Sequence, residues 1–104
     1  MKWQNKKTEQ LIEAILALKN KNEAKRFLRD LLTEDEILEF GNRWLAAQML
    51  YKNISYTAIR GKTGLSSRTI ARISKWLNRG MNGYKLIINR LHHHNSVPSG
   101  KGLR

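Results

Sequence analysis

The sequence predicts an all-α fold of six helices. No stretch alternates apolar and polar residues as a half-buried strand would, and the only proline is Pro98, close to the C-terminal end. Apolar residues recur instead at helical spacing from Leu11 to Leu91. A central stretch, Ser55 to Leu77 (SYTAIRGKTGLSSRTIARISKWL), reads as two helices joined by a tight turn. The chain of 104 residues is long enough for one small domain, expected over 1–94, with a basic tail over 95–104.

Met1 to Lys7 is polar and basic apart from Trp3, and reads either as frayed or as an arm lying on a partner. Thr8 is a candidate cap for the first helix, whose apolar side is Leu11, Ile12, Ile15, Leu16 and Leu18. Lys19-Asn20-Lys21-Asn22 stops it, and Asn22 is a candidate cap for a second helix over 23–32. Thr33 and Glu36 have the spacing of a capping box, with Glu34 and Asp35 beside them where a helix dipole is positive. These acids read as a helix start, not as catalytic groups. The third helix is expected to run to about Lys52. Its apolar residues, from Ile37 to Leu50, cover almost the whole wheel, and a helix apolar all round has to be buried all round. A chain this short cannot surround it, which argues for a homodimer.

In the central stretch, Ser55 caps a short helix over 56–62, and Gly64 supplies the left-handed exit. Ser66 caps the next helix, expected to reach Asn78. Ile59, Leu65, Ile70, Ile73 and Leu77 form the apolar set. At about 100° per residue, Arg68, Arg72, Lys75 and Arg79 share one stripe opposite Ile70, Ile73 and Leu77. A major groove admits such a helix, and its N-terminal residues meet base edges. The pattern reads as a DNA-binding helix-turn-helix. Ser66, Ser67, Arg68, Thr69 and Arg72 lie at the reading end, while Lys62, Lys75 and Arg79 are placed for phosphates. Helix-turn-helix sequences usually carry a small residue just after the position of Ile59. Arg60 stands there, followed by Gly61, so either the helices cross less tightly or Gly61 gives the relief.

Gly80-Met81-Asn82-Gly83 is a turn, and a last helix is expected from Tyr84 to about His92. Asn95 onward, including Lys101 and Arg104, is Ser/Gly/Pro-rich and reads as a disordered basic tail.

The 20 Lys and Arg against 8 Asp and Glu give a formal charge of +12, so a polyanion is the expected partner. There is no cysteine, hence no disulfide framework and no thiolate chemistry. No apolar run reaches a transmembrane length and no signal-peptide pattern opens the chain, so the expected compartment is the cytoplasm. His92, His93 and His94 are consecutive and point in different directions, which does not suit a metal site. No serine has a His and an acid at a recognisable spacing, and no glycine-rich loop precedes a lysine. The expectation is a protein that is not an enzyme, with no cofactor and no metal.

LLTEDEILEFGNRW (31–44), the 55–77 stretch and LNRGMNGYKLIINRL (77–91) together resemble the tryptophan-repressor family. The last motif is similar to its tryptophan-repressor-like branch, the YerC/YecD type. The resemblance implies a six-helix, intertwined homodimer with two helix-turn-helix heads on double-stranded DNA. In the family's tryptophan-sensing members, two arginines sandwich the indole beside a glycine. The matching positions here are Arg72, Leu45 and Ile73, with Thr69 alongside. Leu45 cannot supply one of the two guanidinium planes, Ile73 occupies the ligand's volume, and together Ile73 and Leu45 are expected to fill the old pocket with core. The resemblance therefore implies DNA binding without tryptophan as corepressor, and the small-molecule effector, if any, is unknown. The expected function is a sequence-specific transcriptional regulator acting as a repressor. The alternative is a low-specificity architectural or RNA-associated protein, for which Trp3, Trp76 and Tyr84 are candidate stacking residues. A third reading makes the two helices a packing module with no nucleic acid, and the clustered cations argue against it.

Overall fold

A computed structural model describes residues 1–96, with side chains as far as His92. Six helices follow one another: α1 (Lys6–Leu16), α2 (Lys21–Leu31), α3 (Glu34–Tyr51), α4 (Tyr56–Thr63), α5 (Ser67–Arg79) and α6 (Gly83–Ser96). There is no strand among the described residues. The last helix runs past His92 and takes in Asn95 and Ser96, the first two residues of the expected tail. The rest of that tail, with Lys101 and Arg104, lies outside the described residues, as do the side chains of His93 and His94. The chain divides into two compact units, Met1–Leu38 and Glu39–Arg104, with the boundary inside α3.

In the first unit both early helices start sooner than the sequence suggested. Asn5, not Thr8, caps α1: its Oδ1 accepts the N–H groups of Lys7 at 2.8 Å and Thr8 at 3.3 Å. Lys6 and Lys7 are thereby helical rather than part of an arm. Asn20, not Asn22, caps α2. Its Oδ1 accepts from the Glu23 N–H at 2.9 Å, and the Glu23 carboxylate accepts from the Lys19 N–H at 3.0 Å. That reciprocal arrangement satisfies two donors at once, which a cap at Asn22 would not. The Thr33–Glu36 box forms as read: the Glu36 N–H donates to Thr33 Oγ1 at 3.1 Å, and Glu36 Oε1 accepts from the Thr33 N–H at 2.8 Å. The bond from the Thr33 backbone, then the contact with its side chain, holds the Glu36 carboxyl below its ordinary range. No residue of α1 or α2 is buried. Ile15 is 45% exposed and Leu16 78%.

The second unit has a dense core. Ala46 and Ala47 of α3, Ile59 of α4, and Ile70 and Ile73 of α5 are fully buried together. Leu77 of α5 and Ile88 of α6 are also buried. Burying each large side chain contributes about 1.5–3 kcal/mol. Trp44 stacks on Tyr84 with ring centroids 6.2 Å apart, and the Tyr51 hydroxyl donates to Asn89 Oδ1 at 2.8 Å. Both contacts tie α3 to α6. Burial pushes the Tyr84 phenol above its usual range, partly offset by the charge of Arg43.

α3 stops at Tyr51 because Asn53 takes the left-handed conformation (φ 62°). The Asn53 N–H then donates to the Leu50 carbonyl at 2.9 Å and the Ile54 N–H to the Met49 carbonyl at 3.0 Å, a Schellman closure. The expected all-round burial of α3 is met only in part within one chain. Ala46 and Ala47 are enclosed, but Leu38 is 61% and Phe40 49% exposed.

Candidate nucleic-acid interface

Ser55 Oγ accepts the Ala58 N–H at 3.2 Å and starts α4. Gly64 ends it at φ 72°, and the Gly64 N–H donates to the Arg60 carbonyl at 2.9 Å. A side chain at that φ would strain the backbone. Thr63, just before Gly64, is the buried polar residue that locks the turn. Its hydroxyl donates to the Ile59 carbonyl at 2.8 Å and accepts from the Leu65 N–H at 3.1 Å. No sequence spacing announces such a two-way bond. Ser66 Oγ then accepts from the Thr69 N–H and donates to Thr69 Oγ1, both at 3.1 Å. Four residues thus fix how α5 leaves α4. Gly61 does not relieve a close crossing, since a Cβ there would meet nothing within 4 Å. Arg60 beside it is exposed, so its side chain has open space.

α5 carries the two faces read from its spacing. Ile70, Ile73 and Leu77 are buried, while Arg68, Arg72, Lys75 and Arg79 are exposed. Ser66 and Ser67 are exposed as well, and Thr69 is half-buried with its hydroxyl engaged by Ser66. Lys62 is exposed on α4. Trp76, 44% exposed, lies one turn beyond Arg72. Gly80 closes the helix. A Cβ there would collide with the Trp76 carbonyl oxygen, whose partner is the Gly80 N–H at 2.9 Å.

The electrostatics of this unit are one-sided. From Glu39 onward the sequence has twelve Lys and Arg and one acid, Glu39 itself. That acid pairs with Arg43 at 3.0 Å, the one ion pair among the described residues. None of the cations on α4 or α5 is therefore neutralised by a carboxylate. A face with this composition attracts a polyanion and is screened by salt.

Two open hollows flank α5. One, of about 440 Å³, is lined by Ala71, Ser74, Lys75, Asn78 and Arg79. The other, of about 470 Å³, reaches from Ser74 and Asn78 to Tyr56, Asn53 and Lys85. Among the positions matched to the tryptophan site, Ile73 is fully buried in the core. Leu45, expected to fill that site, is 38% exposed in the single chain. Trp3 is 41% exposed, whereas Tyr84 is half-buried and stacks on Trp44. No helix among the described residues is long and apolar enough to cross a membrane.

Comparison with known proteins agrees with this architecture. The family model described as Trp repressor protein matches residues 6–92. The protein YerC of Bacillus subtilis (strain 168), itself uncharacterized, is 35% identical over 100 residues, which is 96% of either chain. The crystal structure of a TrpR-like protein from Eubacterium eligens ATCC 27750 matches with a TM-score of 0.83 at 40% identity, over 86% of this chain and 93% of that one. A candidate Trp repressor from Staphylococcus aureus matches with a TM-score of 0.81 at 30% identity, over 88% and 95%.

Proposed function

The chain belongs to the Trp repressor family, and on that premise we propose that it is a homodimeric, sequence-specific DNA-binding regulator that represses by occupying an operator. The observation that carries this is α5: four cations free of carboxylates on one face, and three buried residues anchoring the other. α4 and α5 act as a helix-turn-helix, with α5 entering the major groove. Ser67, Arg68, Thr69 and Arg72 read base edges. Lys62, Lys75 and Arg79 hold phosphates. Ser66 stands at the same end and sets the angle of α5 through its cap on Thr69.

What supports the dimer is the apolar side chains that each unit leaves open in one chain: Ile12, Ile15, Leu16, Leu31 and Leu38 in the first, and Phe40 and Leu45 in the second. Exposed apolar area on this scale marks an association surface. A second copy covers it and presents two reading heads on a two-fold axis, matching a palindromic site in successive major grooves.

Tryptophan is not the corepressor in this reading. Ile73 has no exposed surface and is part of the core, so the helix is held by packing and needs no ligand to order it. Calorimetry with L-tryptophan is expected to show no saturable heat. Micromolar binding would contradict the reading.

Anisotropy titration of a labelled duplex across a salt series tests the function as a whole. Binding that weakens steeply with salt is expected, because phosphate contacts release counterions. Truncation of Arg68 to alanine should then cost about 1–3 kcal/mol on the preferred sequence and relax the preference there. Salt-sensitive binding with no preference, unchanged in that variant, would favour the low-specificity alternative. The exposed Trp76 indole next to Arg72 is the feature that suits that alternative.

A further inference from the structure

The cations of the second unit extend beyond α4 and α5. Lys85, in the first turn of α6, lines the larger hollow, together with Asn53 at the end of α3, Tyr56 at the start of α4, and Ser74 and Asn78 on α5. Ser74 and Asn78 also line the hollow that holds Lys75 and Arg79. The two hollows thus lie side by side along the Ser74–Asn78 flank of α5, and the pair is called the trough. Among the described residues, Lys85 is the only charged group in the far half, and no acid lines either half. Around Lys85, the Asn53 amide and the Ser74 and Tyr56 hydroxyls can donate, as can the second N–H of Asn78, whose Nδ2 also donates to the Ser74 carbonyl at 2.9 Å; the Tyr51 hydroxyl is taken by Asn89.

A helix with its side chains is about 10–12 Å across, close to the width of a major groove. When such a helix fills the groove, the two sugar-phosphate backbones run along its flanks. One flank of α5 is the Ser74–Asn78 side, which opens into the trough. Resting on the reading of α5 as a recognition helix, we propose that the trough takes the phosphodiester backbone of one DNA strand next to the bases read, with Lys85 as its phosphate-binding cation. The open shape suits a continuous chain rather than an enclosed small molecule. The donor set suits phosphate oxygens. Lys85 thus extends the footprint onto α6, outside the helix-turn-helix, and makes affinity depend on DNA flanking the recognised bases.

The test compares Lys85→Gln with Arg90→Gln. Both remove one charge from α6, but Arg90 is exposed and does not line the trough. Binding of the preferred duplex is measured across a salt series, with full-length and trimmed flanks. Lys85→Gln should lower the slope of log affinity against log salt by about one unit per protomer, about two for the dimer on its site, and keep the sequence preference. Arg90→Gln should leave the slope close to that of the unaltered protein. Trimming the flank should weaken the unaltered protein and Lys85→Arg, and affect Lys85→Gln much less. Inorganic phosphate alone should compete only through ionic strength; saturable competition at constant ionic strength would turn the trough into a free-anion site and overturn the proposal. Identical slopes for Lys85→Gln and Arg90→Gln, or a flank-independent unaltered protein, would also overturn it while leaving the recognition helix intact. A protein that binds no duplex at all would sink the reading of α5 and this proposal together.

Discussion

The two units of this chain solve opposite problems. Met1–Leu38 carries eight Lys and Arg against seven acids, and neither of its two complete helices has a buried residue. Glu39–Arg104 carries twelve against one, and holds the fully buried Ile59, Ile70, Ile73 and Ile88. The first is nearly balanced in charge and short of cover for its apolar side chains. The second has its own core and a surplus of charge on its surface. Like charges gathered on one small unit repel one another, a cost that a polyanion partner offsets. Uncovered leucines and isoleucines cost free energy that a second copy offsets. In the proposed account, the first unit serves association, joined by Phe40 and Leu45 at the start of the second, and the cationic face of the second serves DNA.

The largest expected effect is on association. Ile15→Asp puts a charge on the open face of α1, and a two-fold dimer carries it twice. Burying an unpaired carboxylate forces it to shed its charge or the interface to open, at a cost of several kcal/mol. Light scattering should show a monomer. A dimer of unchanged affinity would remove the division of labour. Next is the core of the second unit. Ile70→Ala should destabilise by about 2–5 kcal/mol in denaturant unfolding, by the lost burial and the cavity left behind. Its dimer should survive wherever the fold does. Loss of association at full folding would mean that the two units are not separate in function.

A smaller effect is expected at the turn. Thr63→Val keeps the shape but strands the half-buried Leu65 N–H and removes the buried hydroxyl's bond to the Ile59 carbonyl, at about 1–3 kcal/mol. It should also loosen α5, so DNA affinity should fall more than for a surface change of equal stability. Unaltered unfolding would mean that the hydroxyl is dispensable. The smallest effect is in the first unit, at Glu36. Its carboxyl is held below the ordinary range when folded, so the stabilisation is complete above the unfolded value and fades as pH falls through the folded one. Gln can make the same reciprocal bonds without titrating. Glu36→Gln should therefore flatten the acid side of the unfolding midpoint against pH. An unchanged profile would show that the box does not titrate with folding.

Much of this was legible in the sequence, and the same contrast explains what was not. In the second unit, spacing alone gave the apolar set of α4 and α5, the Ser55 and Ser66 caps and the Gly64 exit, because one strongly amphipathic helix leaves little choice of face. In the first unit, Asn5 competed with Thr8 and Asn20 with Asn22, all competent caps. The glutamate three residues after Asn20 was the signal that could have decided the second case. Thr63 and Lys85 were beyond reach for another reason. What they do depends on elements brought together only by folding: the α4–α5 turn around one, and the trough between α3, α5 and α6 around the other.

The most direct test of the central claim is selection of bound duplexes from a random pool at physiological salt, followed by sequencing. The account predicts a two-fold symmetric motif with half-sites about one helical turn apart, which needs both a dimer and a reading helix. Tight, salt-sensitive binding that enriches no motif would contradict it, and would mean that Arg68 and its neighbours on α5 hold DNA without reading it.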